Sequence, residues 1–281
     1  MKTNNAMQLK SLIKKMAAEK HISAQLVMQN YMLERLLERI SLSQYKQNII
    51  LKGGFLVSTI VGLDTRATMD LDTTIKGFEL THESIRAVFE EVCRIAVDDD
   101  VVFEIINTED IREADDYPGI RVNLKADYSP ISVPLTVDVT TGDKITPREI
   151  EYTFSLLFDD RSISILAYNL ETVLAEKLET VVSRGVANTR PRDFSDIYIL
   201  WTLRGAKCDI GVLSSALEQT STKRGSREAM LNYAEVFAEV LASSQMQGFW
   251  NKYRKDFEYA ADILFDDTIG AAVKIMKQII I

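Results

Sequence analysis

Gly53-Gly54, followed by Asp70-x-Asp72, is the spacing in this chain that points most directly to chemistry. Two glycines where a strand turns into a helix let backbone N–H groups close on a phosphate, and the helix N-terminus adds positive potential. Residues i and i+2 of a strand share a face, so Asp70 and Asp72 would present paired carboxylates roughly 6–7 Å apart at Cα. Hard oxygen ligands of this kind suit Mg²⁺, which takes one or two carboxylates together with substrate phosphates. An ordinary tight turn and an exposed strand start fit the same residues, and both readings stay open at this level. Asp138 is a third acid, on the polar face of a strand whose other face is apolar. Beside the Asp70 strand it would complete a trio able to hold two metals; otherwise it is a solvated aspartate.

Two later residues break the pattern of their helices. Lys177 falls inside the apolar arc formed by Leu170, Val173, Leu174, Leu178 and Val181, where a lysine either snorkels to water or meets an anion. Asp193 falls inside the apolar arc of Phe194, Ile197, Tyr198, Leu200 and Trp201, while Asp196 lies just outside it. Complementing the helix dipole in the first turn after Pro191 also accounts for Asp193. An inward lysine and an inward aspartate on consecutive helices are expected to pair and to face the acidic site. Glu176 and Glu179 fall on the outer face, as solvated residues would. Arg184, Arg190, Arg192, Arg204 and Lys207 suggest a basic cluster around the 185–192 loop, suited to phosphates or simply solvated. Ser58 lies too far along its helix to serve the glycine turn. His21 and His82 are too isolated for metal or triad work, and no nucleophile-elbow, P-loop or kinase spacing occurs.

The elements that must position these residues follow from periodicity. The first 48 residues read as helical, and Asn48–Leu51 as a short strand entering the glycines. A two-turn helix over 55–61 and a strand over Asp70–Ile75 follow, with a helix over 82–97. Strands are expected at Val101–Ile106, at Ile120–Ala126 after a Pro118-Gly119 turn, at Ile131–Thr140 and at Ile163–Leu166. Pro134 cannot donate to a ladder, which puts the first half of its strand on an edge or at a bulge. Asn169 can cap a helix closed by Gly185, and Pro191 can open one closed by Gly205. The expected division is a basic helical segment over 1–47, an α/β domain over 48–167 and a helical domain over 168–281.

Composition narrows the class. The chain has 281 residues, 26% of them charged and 46% hydrophobic, with 12 Gly and 5 Pro, as in an ordinary soluble protein. Its formal net charge of −8 argues, as a whole, against coating nucleic acid or anionic membrane. Residues 1–54 nonetheless carry nine Lys/Arg against three Glu, a +6 head on an acidic body. The expected platform for a polyanion is that head together with the 184–207 cluster. Cys93 and Cys208 have no metal or redox spacing, and two lone thiols suit a reducing compartment. No apolar run is long enough for a membrane span and the N-terminus has no signal-like apolar core, so the expected location is the cytoplasm.

Three stretches, LKGGFLVSTIVGLDTRATMDLD (51–72), LTVDVTTGD (135–143) and ETVLAEKLETVVSRGVANTRPRDFSDIYIL (171–200), resemble the nucleotidyltransferase toxins of the abortive-infection AbiEii family, the type IV toxin–antitoxin group that includes MenT-like toxins. FWNKYRKDF (249–257) is a weaker match. The resemblance implies an α/β, polymerase-β-like nucleotidyltransferase mixed sheet with a helical C-terminal domain. It implies that Asp70 and Asp72 bind Mg²⁺ or Mn²⁺ and activate an acceptor hydroxyl, with Asp138 as a further metal ligand. Lys177 would contact the nucleotide phosphates, and Asp193 would position Lys177 or a second substrate. Gly53, Gly54, Arg66 and Thr68 would cradle the triphosphate. The second glycine stands where most polymerase-like transferases have serine, so a hydroxyl contact is missing there.

The expectation is a metal-dependent enzyme that transfers NMP from an NTP to an RNA acceptor, with tRNA the favoured target. It would be the toxin of a bacterial, phage-defence toxin–antitoxin pair, and its partners would be NTP, RNA and a cognate antitoxin, with no membrane. A small-molecule nucleotidyltransferase of the aminoglycoside-modifying kind and a non-catalytic NTP-binding module are the rival classes.

Overall fold

The structure is a computed structural model that describes residues 5–66, 68–111 and 119–279. It divides into two compact units, one of residues 1–143 and 150–167, the other of 144–149 and 168–281. The first opens with α1 (Ala6–Glu19) and α2 (Ala24–Leu42), each started by a side chain that accepts an orphan N–H, Asn5 and Ser23 respectively. These helices belong to the same unit as the sheet rather than standing apart from it. There follow β1 (Ile49–Lys52), α3 (Gly53–Val61), β2 (Leu71–Ile75), α4 (His82–Arg94), β3 (Val102–Ile111), β4 (Gly119–Tyr128), β5 (Ile131–Thr141), β6 (Ile150–Ser155) and β7 (Ser162–Ala167). They form one seven-stranded mixed sheet in the order β3-β4-β5-β2-β1-β7-β6. β2 runs parallel to β5 and β1 parallel to β7, and the other pairings are antiparallel.

Several expectations need adjusting. β6 was not anticipated, because an edge strand this short buries only Phe154 and leaves no apolar alternation to read. β3 runs on to Ile111 through the polar Asn107-Thr108-Glu109-Asp110, which the open edge tolerates. β2 begins at Leu71, so Asp70 immediately precedes the strand and Asp72 lies on it. The expected turn residue Pro118 lies outside the described residues. Pro134 behaves as its missing N–H requires: β2 pairs only with Val137–Thr141, so the first half of β5 is bonded to β4 alone among the strands.

The core of this unit is Val27, Leu33, Leu36, Leu37, Phe55, Leu56, Phe89 and the inward-facing strand residues. α2 also buries charge. Arg39 makes a two-pronged contact with Asp99, Nη1 to Oδ2 at 2.7 Å and Nη2 to Oδ1 at 2.8 Å, and Arg35 meets Glu38 at 3.0 Å. The basic head is therefore smaller than its count. Arg35 and Arg39 lie inside the unit on carboxylates, Lys52 is nearly buried on Asp143, and Lys20 reaches Asp64. Lys10, Lys14 and Lys15 on α1, with Lys46, remain exposed.

The second unit holds α5 (Leu170–Arg184), α6 (Pro191–Arg204), α7 (Ile210–Lys223), α8 (Arg227–Leu231), α9 (Tyr233–Ala242), α10 (Ser244–Asp256) and α11 (Phe265–Ile279). Asn169 caps α5, with its Oδ1 accepting from Thr172 N–H at 2.7 Å, and Gly185 closes the helix. Pro191 opens α6. Trp250 stacks on Phe265 and donates its indole N–H to the Ile263 carbonyl, so the weaker of the family-like stretches serves the helical core. No helix among the described residues is long and apolar enough to cross a membrane.

Candidate active site

The sheet register lines up four charged residues across adjacent strands: Arg121 on β4 opposes Asp138 on β5, Asp138 neighbours Asp72 on β2, and Asp72 opposes Lys52 on β1. Directly paired residues share a face, so two carboxylates stand side by side with a cation at each end. Arg121 grips Asp138 with both prongs, Nε to Oδ1 at 2.8 Å and Nη2 to Oδ2 at 2.9 Å. That bond holds the guanidinium above its ordinary pKa; partial burial works against it, while the charges of Asp138 and Asp70 add to it. Lys52 Nζ donates to Thr140 Oγ1 at 2.7 Å and to Asp143 Oδ2 at 2.5 Å. Asp143 thus anchors the cation beside Asp72.

Gly53 and Gly54 are demanded by what surrounds them. Gly53 has φ +66°, and a Cβ there would lie 2.0 Å from Asp72 Oδ2. Gly54 N–H donates to the same oxygen at 3.2 Å, and a Cβ on Gly54 would lie 2.8 Å from Arg66 Nη2 and 2.9 Å from Thr68 Oγ1. The turn is therefore tight because it wraps a carboxylate. Arg66 and Thr68 are buried, so they support the turn from within its own unit rather than standing at the surface. Ser58 spends its hydroxyl on the Phe55 carbonyl, consistent with its distance along α3.

The loop before Asp70 is held by two buried amides on α2. Asn30 Nδ2 donates to the Thr68 carbonyl at 2.8 Å, and Gln29 Nε2 donates to the Met69 carbonyl at 3.2 Å and the Pro134 carbonyl at 2.8 Å. Sequence reasoning missed both. A polar residue on a buried helix face, the signal that singled out Lys177, applies to them as well.

In the helical unit, Lys177 does meet Asp193, at 2.7 Å, and it also meets Asp196 at 2.8 Å. Asp196 is fully buried, which its place just outside the apolar arc did not suggest. Asp193 is engaged through Oδ1, while its buried Oδ2 has no hydrogen-bond partner among the described residues. Glu179 departs from the expected solvated face. It is buried, accepting from Arg224 and from Ser226 Oγ, because α7 and the turn after it cover that side of α5. The expected basic cluster also divides. Arg190 and Arg192 flank the start of α6 whereas Arg204 and Lys207 lie at its end, about 20 Å away at 1.5 Å per residue. His82 is less isolated than its spacing implied: its ring touches Thr108 Oγ1 at 2.8 Å and Asp110 Oδ1 at 3.0 Å.

The family model described as "Nucleotidyl transferase AbiEii toxin, Type IV TA system" matches residues 35–271. The chain belongs to the AbiEii family. Its class is the one expected, an α/β nucleotidyltransferase architecture with a mixed sheet and a helical C-terminal region. Among solved structures it is similar to two Helicobacter pylori proteins, one described as a nucleotidyltransferase and one as JHP933. Each is 12% identical with a TM-score of 0.49, covering 92% of this chain and 97% and 94% of theirs. No curated protein sequence matches this AbiEii member.

The AbiEii family implies a divalent metal, and the donors available are hard oxygens. Among the described residues no group of three or more His, Cys, Asp or Glu side chains is placed to hold an ion unaided. Both oxygens of Asp138 are engaged by Arg121, and Asp72 Oδ2 accepts from Gly54 N–H, so a metal at Asp70 and Asp72 would draw its other ligands from outside the protein. Two carboxylates fit Mg²⁺ or Mn²⁺ when the remaining ligands are triphosphate oxygens and water.

Proposed function

We propose that this AbiEii protein transfers NMP from an NTP to a hydroxyl of an RNA acceptor, with tRNA the favoured target, as the toxin of a bacterial toxin–antitoxin pair in the cytoplasm. The observation that carries the reading is the Gly53-Gly54 turn closed around Asp72, since a glycine whose Cβ position is filled by a carboxylate exists to place that carboxylate.

The acceptor oxygen forms a bond to the α-phosphorus as the bond from that phosphorus to the bridging oxygen breaks, and pyrophosphate leaves. The acceptor proton passes to the Asp70–Asp72 pair. Asp70 and Asp72 would hold a divalent ion, which when bound would supply charge neutralisation on the phosphates and lower the pKa of the acceptor hydroxyl. The start of α3 at Gly53-Gly54 offers the positive end of a helix to the triphosphate, while Gly54 N–H holds Asp72 Oδ2. Within the helical unit, Lys177 is the cation proposed for nucleotide phosphates, its ammonium oriented by Asp193 and Asp196. As in phosphoryl transfer generally, the rate comes from position and charge. Lys10, Lys14 and Lys15 on α1, with Arg184 and Arg190, supply exposed charge for an RNA backbone.

Growth inhibition tests the enzymatic reading. Expression of the parent chain should arrest growth unless its antitoxin is supplied, and Asp72→Asn, Lys177→Ala and Asp193→Ala should each relieve the arrest. Variants as toxic as the parent would reject catalysis and favour a module that sequesters NTP or a partner. Reversing charge at Lys10, Lys14 and Lys15 should weaken RNA labelling; unchanged activity would point to a small-molecule acceptor.

A further inference from the structure

Asp70 stands just ahead of the ladder that fixes Asp72. β2 joins β5 only from Leu71, which pairs with Val137, and extending that parallel register would set Thr68 level with Pro134. Proline has no N–H to offer, so the approach to Asp70 needs another source of donors. α2 supplies it. Gln29 Nε2 spends its two protons across the gap, on the Met69 carbonyl at 3.2 Å and the Pro134 carbonyl at 2.8 Å. Asn30 Nδ2 bonds the Leu26 carbonyl of its own helix and the Thr68 carbonyl, both at 2.8 Å. The two side chains are buried, so neither exchanges these bonds freely for water. Two consecutive carbonyls are thereby held. A peptide unit is planar from one Cα to the next, so holding the Met69 carbonyl holds the Cα of Asp70. Holding the Thr68 carbonyl as well restrains both soft dihedrals of Met69. Asp70 is bracketed, by α2 before it and by the Leu71–Val137 pair after it.

We propose that Gln29 and Asn30 are positioning residues for the transfer: they set where Asp70 stands beside Asp72, which makes α2 part of the frame of the active site. This rests on the reading above that Asp70 and Asp72 are the reacting pair. Both amides precede residues 35–271, the stretch on which AbiEii membership rests, so this support comes from a part of the chain the family match does not cover. The two differ in reach. Gln29 touches the Met69 and Pro134 carbonyls and acts on Asp70 alone. Asn30 holds Thr68, whose Oγ1 lies 2.9 Å from where a Cβ on Gly54 would stand, so it also supports the turn that receives the triphosphate.

Pyrophosphate release by the full chain with total cellular RNA, measured across NTP concentrations and beside the melting temperature, tests this. Gln29→Met, close in shape but without donors, should lower kcat on the order of 10- to 100-fold, as misplacing a reacting group by up to about 1 Å does, and leave KM for NTP within about threefold. Asn30→Leu, the second variant, should lower kcat and raise KM for NTP as well. Val92→Ala, a truncation of the buried face of α4, is the control for lost stability: it should lower the melting temperature and keep the parent's kcat. Amide hydrogen exchange gives a readout independent of turnover. Residues 69–71 should exchange about tenfold faster in Gln29→Met, the effect of one lost hydrogen bond, with α4 unchanged. If Gln29→Met keeps the parent's kcat while Asp70→Asn abolishes release, or if its loss merely tracks melting temperature as in Val92→Ala, the positioning role is refuted and the reading of the site stands. If Asp70→Asn is as active as the parent, that reading falls and the positioning role with it.

Discussion

Gly53→Ala perturbs the feature on which the account turns. The backbone there has φ +66°, a region where a Cβ costs about 1–2 kcal/mol. The new methyl would lie 2.0 Å from Asp72 Oδ2, against the 3.4 Å at which ordinary contact begins, so the carboxylate or the turn must yield by roughly 1.4 Å. Yielding also breaks the hydrogen bond from Gly54 N–H, and bonds to charged groups contribute about 1.5–3 kcal/mol. The stability loss should therefore be about 2.5–5 kcal/mol. A misplacement of about 1 Å in a reacting group costs on the order of 100-fold in rate. Pyrophosphate release at saturating NTP and Mg²⁺, measured beside thermal unfolding, should show both effects. Gly54→Ala is the internal comparison: its φ is unstrained and its Cβ meets buried Arg66 and Thr68 rather than Asp72, so it should cost stability but lose less activity than Gly53→Ala. A Gly53→Ala protein within threefold of the parent, or one more active than Gly54→Ala, would refute the reasoning.

Other expectations follow from the buried charges. Glu34 accepts from Leu157 N–H at 2.8 Å, yet burial pushes its carboxyl up to about 8, against the lowering effect of that bond and of Arg35. The folded state then holds a proton that the unfolded state releases above about 4.5. The resulting stability is complete below that pH and is lost as pH rises through about 8. Melting temperature should fall between pH 6 and 9 in the parent and stay flatter in Glu34→Gln, and parallel curves would count against this. Asp99→Ala leaves the Arg39 guanidinium buried without its carboxylate and should cost about 3–5 kcal/mol in urea unfolding. Lys177→Met leaves Asp193 and Asp196 buried without their cation; adding Asp196→Asn should recover stability while activity stays lost. Recovery of both would make Lys177 purely structural.

Legibility followed locality. Asn169, Gly185, Pro191 and Gly205 mark helix ends through their own backbone or side chain, and the structure puts those ends there. Lys177 could be singled out because charge inside an apolar arc needs a counter-ion whatever the tertiary fold, and Asp193 supplies it. Asp196 escaped because the same lysine pulls in a residue at the arc's margin, which only the packing of two helices determines. Glu179 was misread because its burial depends on a later segment folding over α5. Lys52 and Arg121 were invisible for a deeper reason. Each is an unremarkable cation on a strand until β2 pairs in parallel with β5, and that long-range register alone places them in one row with Asp72 and Asp138. Gly53-Gly54 and Asp72 were conspicuous separately; that one is shaped around the other is a fact of three dimensions.

The central claim is nucleotidyl transfer to RNA by the Asp70–Asp72 site. Purified protein incubated with each α-labelled NTP, Mg²⁺ and total cellular RNA tests it most directly. The account predicts label in a discrete RNA of tRNA size with at least one NTP, loss of that label with Asp72→Asn, and no transfer from γ-labelled NTP. Absence of label with all four nucleotides, or equal labelling by Asp72→Asn, would contradict it.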